Sequence, residues 1–234
     1  MDAFEPQIVY EDNHLLVVIK PKNMSVQEDD SHDPDLLTLL KEYIKKRDNK
    51  PGNVYLGLVH RLDRPTGGVM VFAKTSKCAD RLSEQIRNRQ LKKKYLCVVK
   101  GVPNHLEDTL TAYLLKNPES NTVSLSTQSN KEAKFAELEY KVLDSAKGYS
   151  LVKVDLHTGR SHQIRVQMAK QNLTPIYGDF KYGEKDHGSN LGLWAYELSF
   201  AHPITKKNMD FKVYPNTEVA PFDMFKNIIE YKNI

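Results

Sequence analysis

The chain has 234 residues, 40% hydrophobic and 27% charged, enough for one large domain or two small ones with a sizeable core, and its net charge of +4 is modest. Its longest apolar runs, such as LLVVI at 15–19, fall far short of the roughly 20 residues that span a bilayer. The acidic start MDAFEPQIVYED lacks the basic-then-apolar order of a secretory signal, and Cys78 and Cys97, outside any CxxC or Cys/His cluster, support neither a disulfide framework nor a zinc site; a cytoplasmic protein with reduced cysteines is expected.

In chain order, apolar strands are predicted at 7–11 and 14–20, then an amphipathic helix over 34–47 with Leu36, Leu37, Leu40 and Ile44 at helical spacing. A strand at 68–74 leads to a second helix over 76–90, where Ala79, Leu82 and Ile86 recur every three or four residues. Tyr95 is expected to open the next strand. The Asn-, Ser- and Thr-rich stretch 117–131 reads as a surface loop. Alternation resumes through Ala136, Leu138, Tyr140 and Val142, and LVKVDL at 151–156 precedes a TGR turn and a helix bearing Ile164 and Met168. Strands return at 193–201 and 208–214. More strands than crossover helices imply an α+β fold with a mixed, largely antiparallel sheet and flanking helices.

The segment HRLDRPTGG at 60–68 sets one carboxylate, Asp63, between two arginines and before a turn. Pro65 fixes its own backbone and biases Arg64 towards an extended conformation, while Gly67 and Gly68 permit turns that a side chain would block. Taken alone, such an aspartate is most simply a turn cap. Two further segments change that reading: RQLKKKYL at 89–96, a basic run joined to an aromatic residue, and TGRSHQIRVQMA at 158–169. Clustering of Arg87, Arg89, Lys92, Lys93 and Lys94, with Arg61, Arg64, Arg160 and Arg165 in the motifs, suits phosphate contacts.

In this order and spacing the three segments resemble the RluA family of RNA pseudouridine synthases. The likeness extends from IVYEDNHLLVVIKPKNMSV at 8–26 through GDFKYG at 178–183 to LSFAHPITKK at 198–207, nearly the whole chain. Gly67 stands where the family usually has Ser, Asn23 where it usually has Gly, and Gln167 where His is common. The resemblance implies the pseudouridine synthase fold, a central sheet in two subdomains with a catalytic cleft, as one catalytic domain over 1–234 with its core at about 8–215. Because the pattern begins by Ile8, no separate N-terminal S4-type domain is expected.

Pseudouridine formation breaks the uracil N1–C1′ bond, turns the base and rejoins it through C5, without net oxidation or phosphoryl transfer. No cofactor or metal is therefore expected. By resemblance, Asp63 is the catalytic aspartate, acting on the ribose as nucleophile or as base. Arg165 is the candidate to pair with it, since a neighbouring guanidinium favours the ionised carboxylate and orients both oxygens. Tyr95 matches the active-site tyrosine, whose ring stacks on the extruded uracil and whose hydroxyl assists proton movement at C5. Arg61, Arg64, Arg89, Lys92, Lys93, Lys94, Arg160 and His162 are the candidate RNA contacts.

The expected partner is a structured RNA, with large-subunit ribosomal RNA preferred to transfer RNA, and the expected state a monomer. Two other classes compete. A noncatalytic RNA-binding factor would use the basic run without Asp63, and a metal-dependent hydrolase would draw ligands from His60, Asp63, His157 and His162, whose spacing matches no specific metal signature.

Overall fold

The computed structural model describes residues 4–183, 190–231 and 234, so the first three residues of the acidic start lie outside it. The chain runs β1 (Gln7–Glu11), β2 (Leu15–Lys20), α1 (Leu36–Arg47), β3 (Gly57–Leu58), β4 (Gly67–Ala73) and α2 (Ser76–Arg87). It continues through β5 (Lys92–Lys100), β6 (Glu107–Asn117), β7 (Thr122–Ser126), β8 (Lys134–Ala146) and β9 (Tyr149–Leu156). A short helix α3 (Gln163–Val166) passes into a π-helical turn (Gln167–Gln171), followed by β10 (Leu193–Ala201), β11 (Asn208–Lys212), a 3-10 turn (Phe222–Phe225) and α4 (Lys226–Glu230). No described helix is long and apolar enough to cross a membrane.

Contacts divide the chain into two compact units, the first comprising residues up to Leu91 with Glu197–Val213, the second Lys92–Tyr196 with Tyr214–Ile234. In the first unit β2 pairs antiparallel with β1 and β4, β3 adds to β4, and β11 pairs with the end of β10. Asp35 caps α1 by accepting from the Thr38 N–H at 3.0 Å, and Lys45, Lys46 and Arg47 complement its C-terminal dipole. Thr75 caps α2 in the same way, accepting from the Cys78 N–H at 3.3 Å. That helix stops at Arg87, short of the expected 90, because Arg89 takes a left-handed φ of 56°. Leu15, Val17, Val69 and Val71 of the sheet pack with Cys78 and Leu82 of α2 in one apolar cluster. Burying them removes apolar surface from water, and that removal holds the unit together.

In the second unit the order is β5-β9-β8-β6-β7, all antiparallel. The expected loop at 117–131 is corrected here: Thr122–Ser126 is a strand, hairpinned onto β6 through a turn where Asn121 has φ 47°. Its residues TVSLS do alternate, but over five positions within an Asn-, Ser- and Thr-rich stretch, and only Val123 is buried. The preceding strand, β6, was not anticipated either; its buried residues are only Leu110 and Leu114. Strand β5 begins at Lys92, three residues before Tyr95, so the basic run is part of the strand. The C-terminal 3-10 turn and α4, also unanticipated, bury Phe222, Phe225 and Ile229 against Leu96, Val98 and Leu151.

Candidate active site

Asp63, half-buried, sits in the loop that enters β4. His60 Nε2 accepts from the Val71 N–H at 3.1 Å, and Leu62 is buried, which fixes the chain before the aspartate. After it, the Thr66 N–H donates to the Asp63 carbonyl at 2.9 Å, and Gly68 takes a φ of 130° that a side chain would strain. Lys20, fully buried at the end of β2 opposite Gly68, donates from Nζ to the carbonyls of Pro21 at 2.8 Å and Arg64 at 3.0 Å.

Burial pushes the Lys20 ammonium down to about 7; the Asp63 carboxylate pulls against that and Arg64 adds to it. A buried lysine in electrostatic reach of the aspartate was missed by sequence reasoning, because a lysine at a strand end reads as solvated. The Arg64 side chain turns to the 23–33 loop, with Nη2 on Asp33, Nη1 on Ser31 Oγ at 2.8 Å and Nε on the Asn23 carbonyl at 3.4 Å. Arg61 is exposed, as is Arg89 beyond α2.

The remaining candidates belong to the second unit. Along β5, Lys92 is exposed, Lys93 and Lys94 are half-buried, and Tyr95 is 6% exposed opposite Val154 of β9. Lys93, its basicity lowered by burial, reaches the turn after β9: a Cβ on Gly159 would lie 3.0 Å from its Nζ. That turn is braced by Gln163 Oε1, which accepts from Thr158 Oγ1 at 2.8 Å and from the Arg160 N–H at 3.1 Å. Arg160 is exposed, with Nε donating to the Phe135 carbonyl at 2.8 Å. It borders an open groove of about 310 Å³ that also carries Lys116, Lys134 and Glu132 over Leu114 and Val123.

His162, in a left-handed conformation with φ 51°, directs Nδ1 to the Tyr182 hydroxyl at 2.6 Å. Arg165, 5% exposed, is not the surface helix residue that its charge alone would suggest. Within this unit its carboxylate partner is Asp179, which accepts from Nε at 2.8 Å and from Nη2 at 2.7 Å. Sequence reasoning did not single out Asp179; its only signal was its place in GDFKYG. Asp63 thus belongs to the first unit, and Tyr95 and Arg165 to the second.

Among the described residues no three His, Cys, Asp or Glu side chains gather as metal ligands. The histidines of the competing hydrolase reading have separate local uses: His60 on the Val71 N–H, His157 beside Glu139 at 3.4 Å, and His162 on Tyr182.

The sequence pattern described as RNA pseudouridylate synthase matches residues 14–170. The chain is 32% identical, over 97% of its length, to the ribosomal large subunit pseudouridine synthase C of Buchnera aphidicola subsp. Baizongia pistaciae, spanning 70% of that relative. It is 33% identical to the tRNA pseudouridine synthase C of Haemophilus influenzae, across 87% of this chain and 90% of the relative. A solved structure described as human RNA pseudouridylate synthase domain containing 4 matches with a TM-score of 0.77, covering 96% of this chain and 93% of that one; at 22% identity the likeness shows the fold.

Proposed function

The chain belongs to the RNA pseudouridylate synthase family, isomerases that convert uridine in RNA to pseudouridine, and we propose that it does so with Asp63 as the group that acts on the ribose. The observation that carries this assignment is the seat of the Asp63 loop, whose next carbonyl accepts from the fully buried Lys20 Nζ and whose own carbonyl is held by the Thr66 N–H. A reacting carboxylate needs such fixing, since small misplacements are costly in rate.

In this proposal Arg165 pairs with the Asp63 carboxylate and orients both oxygens, and Tyr95 offers its ring to the extruded uracil. The exposed cations Arg61, Arg89, Lys92 and Arg160, together with Lys93, Lys94 and His162, take the phosphates. Arg64, engaged with Asp33, serves by holding the loop.

The substrate we propose is a loop of large-subunit ribosomal RNA, where unstacking a uridine costs less than in a regular duplex. The name of the Buchnera relative supports it; that of the Haemophilus relative keeps transfer RNA as the second reading. Either substrate implies action in the cytoplasm, and we propose that the monomer suffices. The choice of RNA is tested by tritium release from C5-labelled ribosomal and transfer RNA, each purified from cells lacking this chain. Release from ribosomal RNA alone is expected; release from transfer RNA alone would reverse the preference.

A further inference from the structure

Asp179 is 1% exposed, and its carboxylate is fixed from four directions. Oδ1 accepts the Lys181 N–H at 3.0 Å, the Tyr182 N–H at 3.3 Å and Arg165 Nη2 at 2.7 Å, while Oδ2 accepts Arg165 Nε at 2.8 Å. Two of these donors are backbone groups of its own turn, so the acid is oriented before it meets the arginine. The turn is itself constrained: Gly178 has φ 69°, and a Cβ there would come within 2.7 Å of the Asn190 carbonyl oxygen. The Tyr182 ring lies 5.3 Å from the guanidinium carbon, and its hydroxyl is held by the Val123 N–H at 2.8 Å and by His162 Nδ1 at 2.6 Å.

A guanidinium gripped along its Nε–Nη2 side and stacked on a ring has a fixed plane as well as a fixed position. Burying the two charges costs desolvation that apolar residues of similar volume would avoid, so fold stability alone is a weak reason for the pair. The pair as a whole is also close to neutral, which makes Arg165 better suited to orienting a second acceptor than to supplying bulk positive charge. Resting on the reading that Arg165 serves the reaction, we propose that Asp179 is a positioning residue, setting the plane of the Arg165 guanidinium for the chemical step.

The test is a double-mutant cycle in single-turnover pseudouridine formation, comparing the native chain, Arg165→Met, Asp179→Asn and the combination, with RNA dissociation constants measured alongside. Asp179→Asn retains an oxygen for the two turn N–H groups but gives Arg165 Nε no acceptor. Each single variant is expected to slow the step on the order of 10²-fold with RNA affinity unchanged. The double variant should be no slower than the slower single one, because Asp179 acts only through Arg165. A normal rate for Asp179→Asn, or a double variant slowed by the product of the two effects, would overturn the proposal.

Should Asp179→Asn fail to fold, Asp179→Glu, which keeps the charge but moves the carboxylate, carries the same test in native and Arg165→Met backgrounds. Slowing in the first and not in the second is expected; equal slowing in both refutes the positioning role. Full turnover by Arg165→Met would instead remove the catalytic reading of Arg165, and this inference with it. That outcome is distinct from a slow Arg165→Met beside a normal Asp179→Asn.

Discussion

Lys20 Nζ donates to the Arg64 carbonyl at 3.0 Å, so the backbone directly after Asp63 hangs on a lysine with no exposed surface. The contact ties the last residue of β2 to the loop that enters β4. It ties stability to pH as well. Burial holds the folded-state value at about 7 against an ordinary 10.5, so across that window the unfolded chain binds the proton and the folded chain has released it. Raising pH from 7 therefore stabilises the fold through this group, with the gain complete near 10.5.

Denaturant titrations at pH 7 and pH 9 check that sign. The native chain should gain about 2 kcal/mol more than Lys20→Met between the two conditions. Equal gains would mean that Lys20 does not titrate in this range when folded.

The exposed cations should make separable contributions to RNA binding. Lys92→Ala and Arg89→Ala are each expected to reduce the slope of log affinity against log salt by about one, with similar effects on different RNA sequences. Arg64→Ala, whose guanidinium is committed to Asp33 and Ser31, should leave that slope nearly unchanged. Filter binding across a salt series distinguishes the two behaviours.

Tyr95 carries two proposed roles that substitution separates. Tyr95→Phe keeps the ring in its buried place opposite Val154, so RNA affinity should hold while isomerisation slows by about 10²-fold or more if the hydroxyl moves a proton. Single-turnover kinetics with parallel binding measurements would show it. An unchanged rate would leave the residue with stacking alone.

The sequence was most readable where a local rule acts alone. Leu36, Leu40 and Ile44 face the interior as their spacing required, and the Pro-Gly chemistry of 60–68 marked a shaped loop before any partner was visible. It was least readable where tertiary partners decide. Thr122–Ser126 alternates through Val123 and Leu125, but over only five residues inside a polar stretch, and Leu125 remains exposed, so the pattern was too short to outweigh the loop composition around it. Lys20 and Asp179 are buried polar groups that each depend on one partner distant in sequence, Arg64 and Arg165, and local composition does not reveal that partner. The tertiary override also explains the basic run: Lys93 and Lys94 lie within a strand and are half-buried, where a charged stretch would ordinarily be read as solvated.

The most direct test of the central claim is tritium release from C5-labelled uridine in RNA from cells lacking this chain, comparing the native protein with Asp63→Asn. The substitution removes a charged reactive group and almost no volume, so RNA binding should persist. Release by the native chain, with none above background from Asp63→Asn at equal RNA occupancy, is the predicted result. Full release by Asp63→Asn would contradict the assignment of Asp63 as the group that acts on the ribose.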